Sequence, residues 1–361
     1  MRIGELCSYA PKSTIKAGEA VDGAKYMFFT SSADESKRYT EYQYDGEGII
    51  MGTGGNATLH YYSGKYAVST DCVVLVPRGN IRCKYLYYYL KANMTVLEAG
   101  FKGAGLKHTN KKYISDIDVN TVPDFCKQDE IIAILDKLNA VINSRKEELQ
   151  LLEDLVSARF VEMFGDLKTN SKRWDIKSFD EISSLITDGE HATPKRDTYG
   201  IHLLSARNVL NHSLQLDDVD YINEDEYDRI AKRVVPQEGD VLISCSGTVG
   251  RCCSVPADFK FQMVRSVALI RFNKVVNPIF AEYMITSNYL QEQINSSKTS
   301  SSQANLFQGK IKALKGFLPP IELQNQFADF VKGVGKSKVA VRKALEETQL
   351  LFDSLMQQYF G

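Results

Sequence analysis

Two segments free of acidic residues carry the side chains most suited to binding a ligand. The first, residues 100–113 (GFKGAGLKHTNKKY), contributes Lys102, Lys107, His108, Asn110 and Lys111. The second, residues 295–310 (NSSKTSSSQANLFQGK), contributes Lys298, Gln303 and Asn305. Lysines neutralise phosphates and amides pair with base edges, so these residue types on a Gly- and Ser-containing backbone favour contact with nucleic acid. A solvated loop without a ligand is the alternative that this composition leaves open.

Two further motifs resemble catalytic sites, but each lacks an essential residue. Residues 333–337 (GVGKS) end like a P-loop, yet Phe330 stands where the leading Gly belongs. Residues 277–280 (NPIF) resemble the catalytic tetrapeptide of adenine methyltransferases without its second Pro, and Asn as a helix N-cap followed by Pro explains the pattern better. The 5 His and 7 Cys residues show no spacing typical of a metal site. We therefore expect no catalytic residue, no metal site and no cofactor bound by this chain.

The composition is that of a chain with sizeable hydrophobic cores. Hydrophobic residues make up 43% and charged residues 25% of the 361 residues, and this length predicts two or more domains. The sequence shows neither a secretory-signal pattern nor a run of about 18 apolar residues. With scattered Cys residues, these features predict a cytoplasmic protein without a membrane span. The net charge of -1 argues against a uniformly basic nucleic-acid binder, so any such contact must use local patches.

A long internal repeat organises the chain. In residues 126–165, seam residues recur at alternating three- and four-residue spacing: Ile131, Leu135, Leu138, Ile142, Arg145, Leu149, Leu152, Val156, Arg159 and Met163. The positions 196 residues later are again mostly apolar: Phe327, Val331, Val334, Lys338, Val341, Leu345, Thr348, Phe352, Leu355 and Tyr359. Pro123, Gln128 and Gly165 recur at the same separation. The chain is therefore two copies of one unit, each a globular part followed by a helix of about 36–40 residues.

The two helices are predicted to pair with each other. Both seams are narrow and flanked by charged residues, which is typical of a two-helix coiled coil and not of a helix wrapped by its own domain. Arg145 and Arg159 interrupt the first seam, whereas Lys338 and Thr348 interrupt the second, which favours pairing between two non-identical helices. The predicted boundaries are 1–124 and 166–320 for the globular parts, and 125–165 and 321–361 for the helices.

Each globular part is predicted to mix short strands with helices. The predicted strands are 48–51, 66–76, 239–243 and 264–272, and the predicted helices are 85–92 and 278–294. Two of these strands lead into Gly-containing turns, GTGG at 52–55 and SGTVG at 246–250. The Tyr residues of helix 85–92 are expected to pack this helix and not to stack on bases. The predicted fold class is therefore α+β, with two globular mixed domains, each followed by a long helix.

The chain resembles a known family, the specificity (S) subunits of type I restriction-modification systems. Residues 187–194 (TDGEHATP) are similar to the family's DG-x-H-x-TP segment, and residues 204–209 (LSARNV) are similar to its usual continuation. Residues 239–250 carry the GDVLI and SGTVG segments, and residues 318–320 (LPP) precede Gln324. The resemblance adds these candidate DNA contacts: His191, Thr193, Lys195, Arg207 and Asn208. The likeness covers essentially the whole chain, although the first globular part lacks the DG-x-H-x-TP segment.

The resemblance implies a subunit without an active site of its own. Each globular part would be a target recognition domain that reads one half of a bipartite, asymmetric DNA target, and the two helices would pair antiparallel as a spacer. Two modification subunits, which bring S-adenosylmethionine and methylate adenine, would dock on that spacer. Restriction subunits would add translocation and cleavage that depend on ATP and Mg. Two alternatives stay open: a coiled-coil scaffold without DNA contact, and a DNA adenine methyltransferase in its own right.

Overall fold

The chain divides into two compact units, which are described separately. The computed structural model describes residues 1–120, 122–297 and 305–361. The predicted contacts Lys298 and Gln303 lie outside the described residues. Unit 1 consists of Met1–Glu148 and Val341–Gly361, and unit 2 consists of Leu149–Ala340. In the described residues, no helix is long and apolar enough to cross a membrane.

Unit 1 contains a six-stranded sheet, short helices and parts of two long helices. Its strands are β1 (Cys7–Tyr9), β2 (Tyr26–Phe29), β3 (Arg38–Tyr39), β4 (Tyr44–Gly52), β5 (Leu59–Val68) and β6 (Cys72–Pro77). Its helices are α1 (Ile3–Leu6), α2 (Cys83–Ala92), α3 (Met94–Glu98), α4 (Lys111–Asp116) and the first part of α5 (Phe125–Phe164). The strand order is β1-β6-β4-β5-β2-β3, antiparallel except for the parallel pair of β2 and β5.

Unit 1 departs from the prediction between β5 and β6. The predicted single strand at 66–76 is wrong, because the chain turns at residues 69–71. The Asp71 carboxylate accepts hydrogen bonds from the Ser31 and Ser69 hydroxyls, which ties this turn to the segment after β2. Short polar side chains that bond locally favour turns over strands, so the Ser-Thr-Asp sequence interrupts the apolar pattern here.

Unit 2 contains a four-stranded sheet, a three-stranded sheet and short two-stranded pairs. Its strands are β7 (Asp175–Ser178), β8 (Ser183–Asp188), β9 (Ile201–Leu204), β10 (Val209–Leu210), β11 (Ser213–Leu214), β12 (Asp220–Ile222), β13 (Val241–Ser244), β14 (Cys252–Ser254), β15 (Phe261–Met263), β16 (Val267–Phe272) and β17 (Lys315–Leu318). Its helices are α6 (Phe179–Ile182), α7 (Glu224–Ala231), α8 (Pro278–Thr286), α9 (Asn288–Ser297), α10 (Gln308–Ala313) and the first part of α11 (Ile321–Phe360). The sheet orders are β14-β13-β16-β8 and β12-β9-β15, with β10-β11 and β17-β7 as separate pairs.

Two predicted elements of unit 2 are divided in the structure. The predicted strand at 264–272 begins too early, because residues 264–266 carry the chain from β15 in one sheet to β16 in another; we call them the crossing segment. The predicted helix at 278–294 breaks at Ser287, whose backbone is extended and whose hydroxyl donates to the Met284 carbonyl at 2.6 Å. A hydroxyl that satisfies a terminal carbonyl favours the end of a helix at this point.

In unit 2, the end of α5 packs against the start of α11. The Phe160 ring of α5 lies 5.3 Å from the Phe327 ring of α11. The ammonium of Lys338, which interrupts the apolar seam, contacts the Glu153 carboxylate of the other helix at 2.9 Å. An apolar seam flanked by an ion pair is typical of a two-helix coiled coil.

In unit 1, the start of α5 packs against the end of α11. The residues of α5 and α11 in one buried cluster are Ile131, Leu135, Ile142, Phe352, Met356 and Phe360. The last two lie one position after the predicted seam residues Leu355 and Tyr359, which are only partly buried. Tyr85 and Tyr89 of α2 pack against the Phe360 ring, with centroids 5.3 and 6.1 Å away, so these Tyr residues pack the helix as predicted. In each unit the start of one long helix lies against the end of the other. The α+β class and the antiparallel pairing of the helices are therefore confirmed.

Candidate nucleic-acid interface

In unit 1, the polar loop is anchored on the turn that follows β4. The His108 and Lys102 backbones exchange two hydrogen bonds, both at 3.0 Å, which closes the loop. The Gly55 N–H donates to the Lys107 carbonyl at 2.9 Å, which attaches the loop to the turn. These bonds use backbone groups only. Residues 102–108 of the loop are therefore positioned by backbone groups.

Three of the predicted DNA contacts lie on the part of the loop that these backbone bonds hold. Lys102, Lys107 and His108 are exposed. Within the described part of the chain, their side chains form no hydrogen bond or ion pair. Two ammonium groups and an imidazole are thus left for contacts outside the chain, which suits binding to phosphates and base edges.

The next two predicted contacts have partners inside the unit. The Asn110 side-chain oxygen accepts the Tyr113 N–H at 2.9 Å and so caps α4. The Lys111 ammonium lies 4.7 Å from the centroid of the Tyr9 ring, in a cation–π contact. Asn110 therefore has a structural role, whereas the Lys111 ammonium is oriented by an aromatic face.

Unit 2 repeats the pairing of a turn with a polar loop. Ser246, at the start of the turn after β13, forms a β-bridge with Asn305. In unit 1, Gly54 in the turn after β4 forms a β-bridge with His108. Asn305 and His108, one from each acid-free segment, therefore occupy equivalent places in their units.

The motifs of unit 2 meet at the crossing segment. The Arg265 N–H donates to the Glu190 carbonyl at 3.0 Å, which joins the segment to the DG-x-H-x-TP motif. The Val264 N–H donates to the Leu204 carbonyl at 2.9 Å, which joins it to the LSARN motif. Two motifs separated in sequence are thus held side by side by a third segment that no motif marks.

Ser266 connects the crossing segment to the turn after β13. Its hydroxyl accepts the Ala206 N–H at 3.0 Å, and its carbonyl accepts the Cys245 N–H at 2.7 Å. Since Ser246 follows Cys245 directly and pairs with Asn305, the polar loop joins the same surface. The segments brought together are residues 187–194, 204–209, 246–250 and 264–266, with the loop at Asn305.

Gly189 of the DG-x-H-x-TP motif has a steric role. A Cβ at this position would overlap the carbonyl oxygens of Met263 and Val264. Only Gly lets the end of β8 approach the crossing segment so closely. The Gly of the motif therefore allows this surface to form.

His191 is oriented by charged neighbours. Its imidazole contacts the Asp188 carboxylate at 2.7 Å, and the Arg233 guanidinium contacts the other oxygen of that carboxylate at 2.5 Å. The His191 side chain nevertheless remains 55% exposed. The arrangement holds the ring in one orientation and leaves an edge accessible to a ligand.

Thr193 and Lys195 lie beside a second charged group. The Lys195 N–H donates to the buried Glu226 carboxylate at 3.0 Å, and Arg229 contacts the same carboxylate at 2.9 Å. The hydrogen bond from Arg229 lowers the pKa of Glu226. The Thr193 hydroxyl and the Lys195 ammonium are exposed, and in the described residues they bond to nothing.

The Arg of the LSARN motif is exposed, whereas the Asn that follows it is buried. Arg207 contacts Asp220 at 3.1 Å and Asp218 at 3.4 Å. The Asn208 side chain has no exposed surface, and its amide donates to the Gln215 and Asp218 carbonyls, both at 2.9 Å. Asn208 is therefore placed as a structural residue of the segment around β10 and β11, and we do not carry it forward as a DNA contact.

The Asp220 carboxylate contacts two arginines near the LSARN motif. Arg196 contacts its carboxylate at 3.0 Å, and Arg207 contacts the other oxygen. Burial alone raises the pKa of Asp220, but the hydrogen bond from Arg196 and the charge of Arg207 lower it overall. Asp220 therefore stays ionised and partly neutralises both arginines.

Sequence reasoning missed two arginines of unit 2. Arg265 is exposed on the crossing segment, and Arg251 is half-buried just before β14. In the described residues, neither guanidinium forms a hydrogen bond or an ion pair. Neither residue lies in a motif or a polar run, so no sequence signal marked them.

The motifs that resemble catalytic sites have structural roles. Residues 333–337 lie inside α11, where the backbone cannot form a phosphate-binding loop. Asn277 caps α8 by accepting the Ile279 N–H at 2.9 Å. Burial raises the pKa of four thiols to about 12, which keeps them protonated and unreactive: Cys7, Cys72, Cys83 and Cys245. In the part of the chain that the structure describes, no group of His, Cys, Asp and Glu suits a metal ion.

The sequence is similar to those of specificity subunits over most of its length. It is 18% identical over 325 residues to the type I restriction enzyme MjaVIII specificity subunit of Methanocaldococcus jannaschii, covering 83% of this chain and 75% of that protein. It is 21% identical over 341 residues to the type I restriction enzyme EcoBI specificity subunit of Escherichia coli, covering 86% and 71%.

The fold is similar to solved structures of the same kind. The S subunit of a type I restriction-modification system from M. genitalium matches with a TM-score of 0.68 at 14% identity, covering 100% of this chain and 95% of that chain. A chain from a structure described as showing assembly and conformational transition of the type I R-M system matches with a TM-score of 0.54 at 14% identity, covering 100% and 96%. At such identities the likeness shows the fold.

A family model covers most of both units. The model described as "type I restriction modification DNA specificity domain" matches residues 1–154 and 172–348. The matched ranges include the turns, the crossing segment and most of both long helices. The chain therefore belongs to the type I restriction-modification DNA specificity family, whose members recognise DNA targets.

Proposed function

We propose that each unit reads one half of a bipartite, asymmetric DNA target, and that the surface formed by its turn and polar loop faces the DNA. One observation carries this proposal. In both units a turn after a central strand pairs with an acid-free loop, through Gly54 and His108 in unit 1 and through Ser246 and Asn305 in unit 2. A surface that repeats in architecture but not in sequence suits a protein that reads two different half-sites.

The predicted DNA contacts of the two units are assigned to two tasks. The proposed phosphate contacts are Lys102, Lys107, Lys111, Lys195, Arg207 and Lys298. The proposed base contacts are His108, His191, Thr193, Gln303 and Asn305. Cationic side chains fix the position of the duplex, whereas imidazole, hydroxyl and amide groups match donors and acceptors on base edges. Asn110 and Asn208 have structural roles, as the cap of α4 and as a buried residue beside β10 and β11.

The paired helices are proposed to space the half-sites and to dock two modification subunits. Leu155 of α5 is 48% exposed and Leu351 of α11 is 50% exposed. These residues are separated by 196 positions, so they are equivalent in the repeat. Exposed Leu residues at equivalent positions suit two copies of one partner, because the same apolar contact can form twice.

The chemistry of the complex is assigned to its other subunits. The modification subunits would bring S-adenosylmethionine and methylate adenine, and restriction subunits would use ATP and Mg for translocation and cleavage. This chain would contribute recognition and docking. We place the complex in the cytoplasm, because the Cys residues of this chain are free thiols, as expected in a reducing compartment.

An exchange of recognition domains tests the proposal. Residues 167–318 are replaced by the corresponding domain of a relative, and the chain is produced with its modification subunits. Sequencing of methylated adenines should show that one half of the motif changes and the other half stays the same. Loss of both halves with an intact complex, or an unchanged motif, would overturn the proposal. S-adenosylmethionine turnover by the isolated chain would contradict the assignment of catalysis to other subunits.

A further inference from the structure

Arg265, like the half-buried Arg251, differs from the arginines around the proposed DNA surface of unit 2 that pair with carboxylates. The arginines that pair with carboxylates there are Arg196, Arg207, Arg229 and Arg233. Arg265 is exposed, and its guanidinium has no such partner among the described residues. Its charge and its donors are therefore left for a ligand, whereas those of its neighbours are largely neutralised.

The nearby acids do not compensate this charge. Asp188 is bound by Arg233 and by the imidazole of the DG-x-H-x-TP motif. The Glu190 carboxylate accepts the Ala192 N–H at 2.8 Å and lies 3.6 Å from Arg229. Since both carboxylates already have partners, Arg265 has no carboxylate acceptor among the described residues.

The backbone beneath Arg265 is held firmly. Its own N–H donates to the Glu190 carbonyl at 3.0 Å, and its two neighbours bond to the Leu204 and Cys245 backbones at 2.9 and 2.7 Å. Strands and motifs of both sheets thus fix the point from which the guanidinium projects. A side chain on a fixed backbone loses less freedom when it binds, which suits a role in specificity.

We propose that Arg265 reads a guanine in the half-site of unit 2 by donating two hydrogen bonds to O6 and N7 in the major groove. The proposal rests on the DNA-reading function proposed above. The guanidinium fork matches these two acceptors, which no other base presents together in that groove. A phosphate is the competing ligand. The position of Arg265 favours a base, because four motif or loop segments surround the crossing segment and place it at the centre of the surface.

Two substitutions of Arg265 test this assignment in the complex with modification subunits. Arg265→Ala should weaken binding to the cognate site by about 5- to 150-fold, which corresponds to about 1–3 kcal/mol at about 1.4 kcal/mol per tenfold. The methylated motif should become degenerate at one guanine in the half read by unit 2. Arg265→Gln should also lose that guanine and shift toward adenine, since a Gln amide pairs with adenine N6 and N7.

A matched control removes a charge beyond the other end of β16. Lys274 is exposed and follows the opposite end of β16, so Lys274→Ala should leave the motif unchanged. If Arg265→Ala weakens all sequences equally and Arg265→Lys restores binding, the ligand is a phosphate and the proposal is overturned. An unchanged motif and affinity in Arg265→Ala would overturn it as well. Failure of the wild-type complex to bind any specific site would instead refute the proposed function.

Discussion

The Gln324 amide donates a 2.7 Å hydrogen bond to the Pro319 carbonyl, just before the start of α11. The same side chain accepts the N–H of Asn277, the N-cap of α8, at 2.8 Å and donates to the Val275 carbonyl at 3.1 Å. Gln324 is completely buried. One side chain therefore joins the start of the long helix α11 to the start of α8.

Gln128 repeats this arrangement in unit 1. Its amide donates to the Pro123 and Asn80 carbonyls at 2.7 and 2.8 Å, and its oxygen accepts the Arg82 N–H at 2.7 Å. Arg82 is the N-cap of α2, as Asn277 is of α8. The Pro and Gln that recur in the sequence are thus the two halves of one contact that attaches a long helix to its recognition domain.

Loss of the Gln324 side chain should destabilise unit 2. In Gln324→Ala, the Asn277 N–H and the Pro319 carbonyl lose their buried partner, at about 1–3 kcal/mol for each group left unsatisfied. Denaturant unfolding of the variant should therefore show a lower midpoint. The control is Gln326→Ala, which changes an exposed Gln of the same helix and should be close to neutral. Equal stability of both variants would mean that this contact is not a stabilising one.

Lysines of the unit 1 loop should act on affinity and not on sequence preference. Lys107→Ala or Lys111→Ala should weaken binding to all DNA sequences and lower the salt dependence by about one counterion per lysine. Titrations at several salt concentrations, with cognate and scrambled DNA, provide the measurement. A changed methylated motif with an unchanged salt dependence would show that these lysines read bases.

Amide side chains of the unit 2 loop should affect sequence preference and not salt dependence. Asn305→Ala, and likewise Gln303→Ala, should relax one base position of the target at about 1–3 kcal/mol and leave the salt dependence nearly unchanged. The methylated motif and binding to single-mismatch DNA report this change. A uniform loss of affinity without a change in motif would contradict the assignment.

The length of the paired helices should set the number of unread base pairs between the half-sites. One heptad inserted in each helix, after Arg145 and near Val341, keeps both seams in phase and adds about 10.5 Å at about 1.5 Å per residue. The motif spacer should grow by about three base pairs at 3.4 Å each, with some loss of affinity from the added rotation of the DNA. A four-residue insertion in one helix is the out-of-phase comparison and should impair folding or assembly. Retained activity with an unchanged spacer would mean that the helices do not measure this distance.

Unit 2 should lose stability in acid through its arginine-bound carboxylates. Asp220 and Glu226 have lowered pKa values in the folded chain, so the folded state binds their protons less readily than the unfolded state. Their contribution is present at neutral pH and is lost as the pH falls below the usual carboxyl range of about 3.9–4.3. Unfolding followed across this range should show a smaller pH dependence in Asp220→Asn than in Asp225→Asn, which changes an exposed acid. An identical dependence in both would exclude Asp220 as a source of acid sensitivity.

The sequence by itself determined the repeat, the long helices and the pairing of their seams. A heptad pattern is local, because each seam residue lies three or four positions from the next and the helix alone places them on one face. The same holds for the cap at Asn277, which bonds two residues ahead. The turn between β5 and β6 was missed although its Ser-Thr-Asp sequence favours a turn, and only the bond from Ser31 to Asp71, 40 residues away, depends on the tertiary structure.

The tertiary structure decided which polar residues can meet DNA. Asn208 and Asn305 are the same residue type in polar segments, yet only the fold buries Asn208 under the Gln215 and Asp218 carbonyls. Arg233 and Arg265 differ in the same way, because Arg233 meets Asp188 across 45 residues of sequence, whereas Arg265 meets no carboxylate in the described residues. Ion pairing and burial depend on the distance in space between residues, and the spacing of residues along the chain does not reveal that distance.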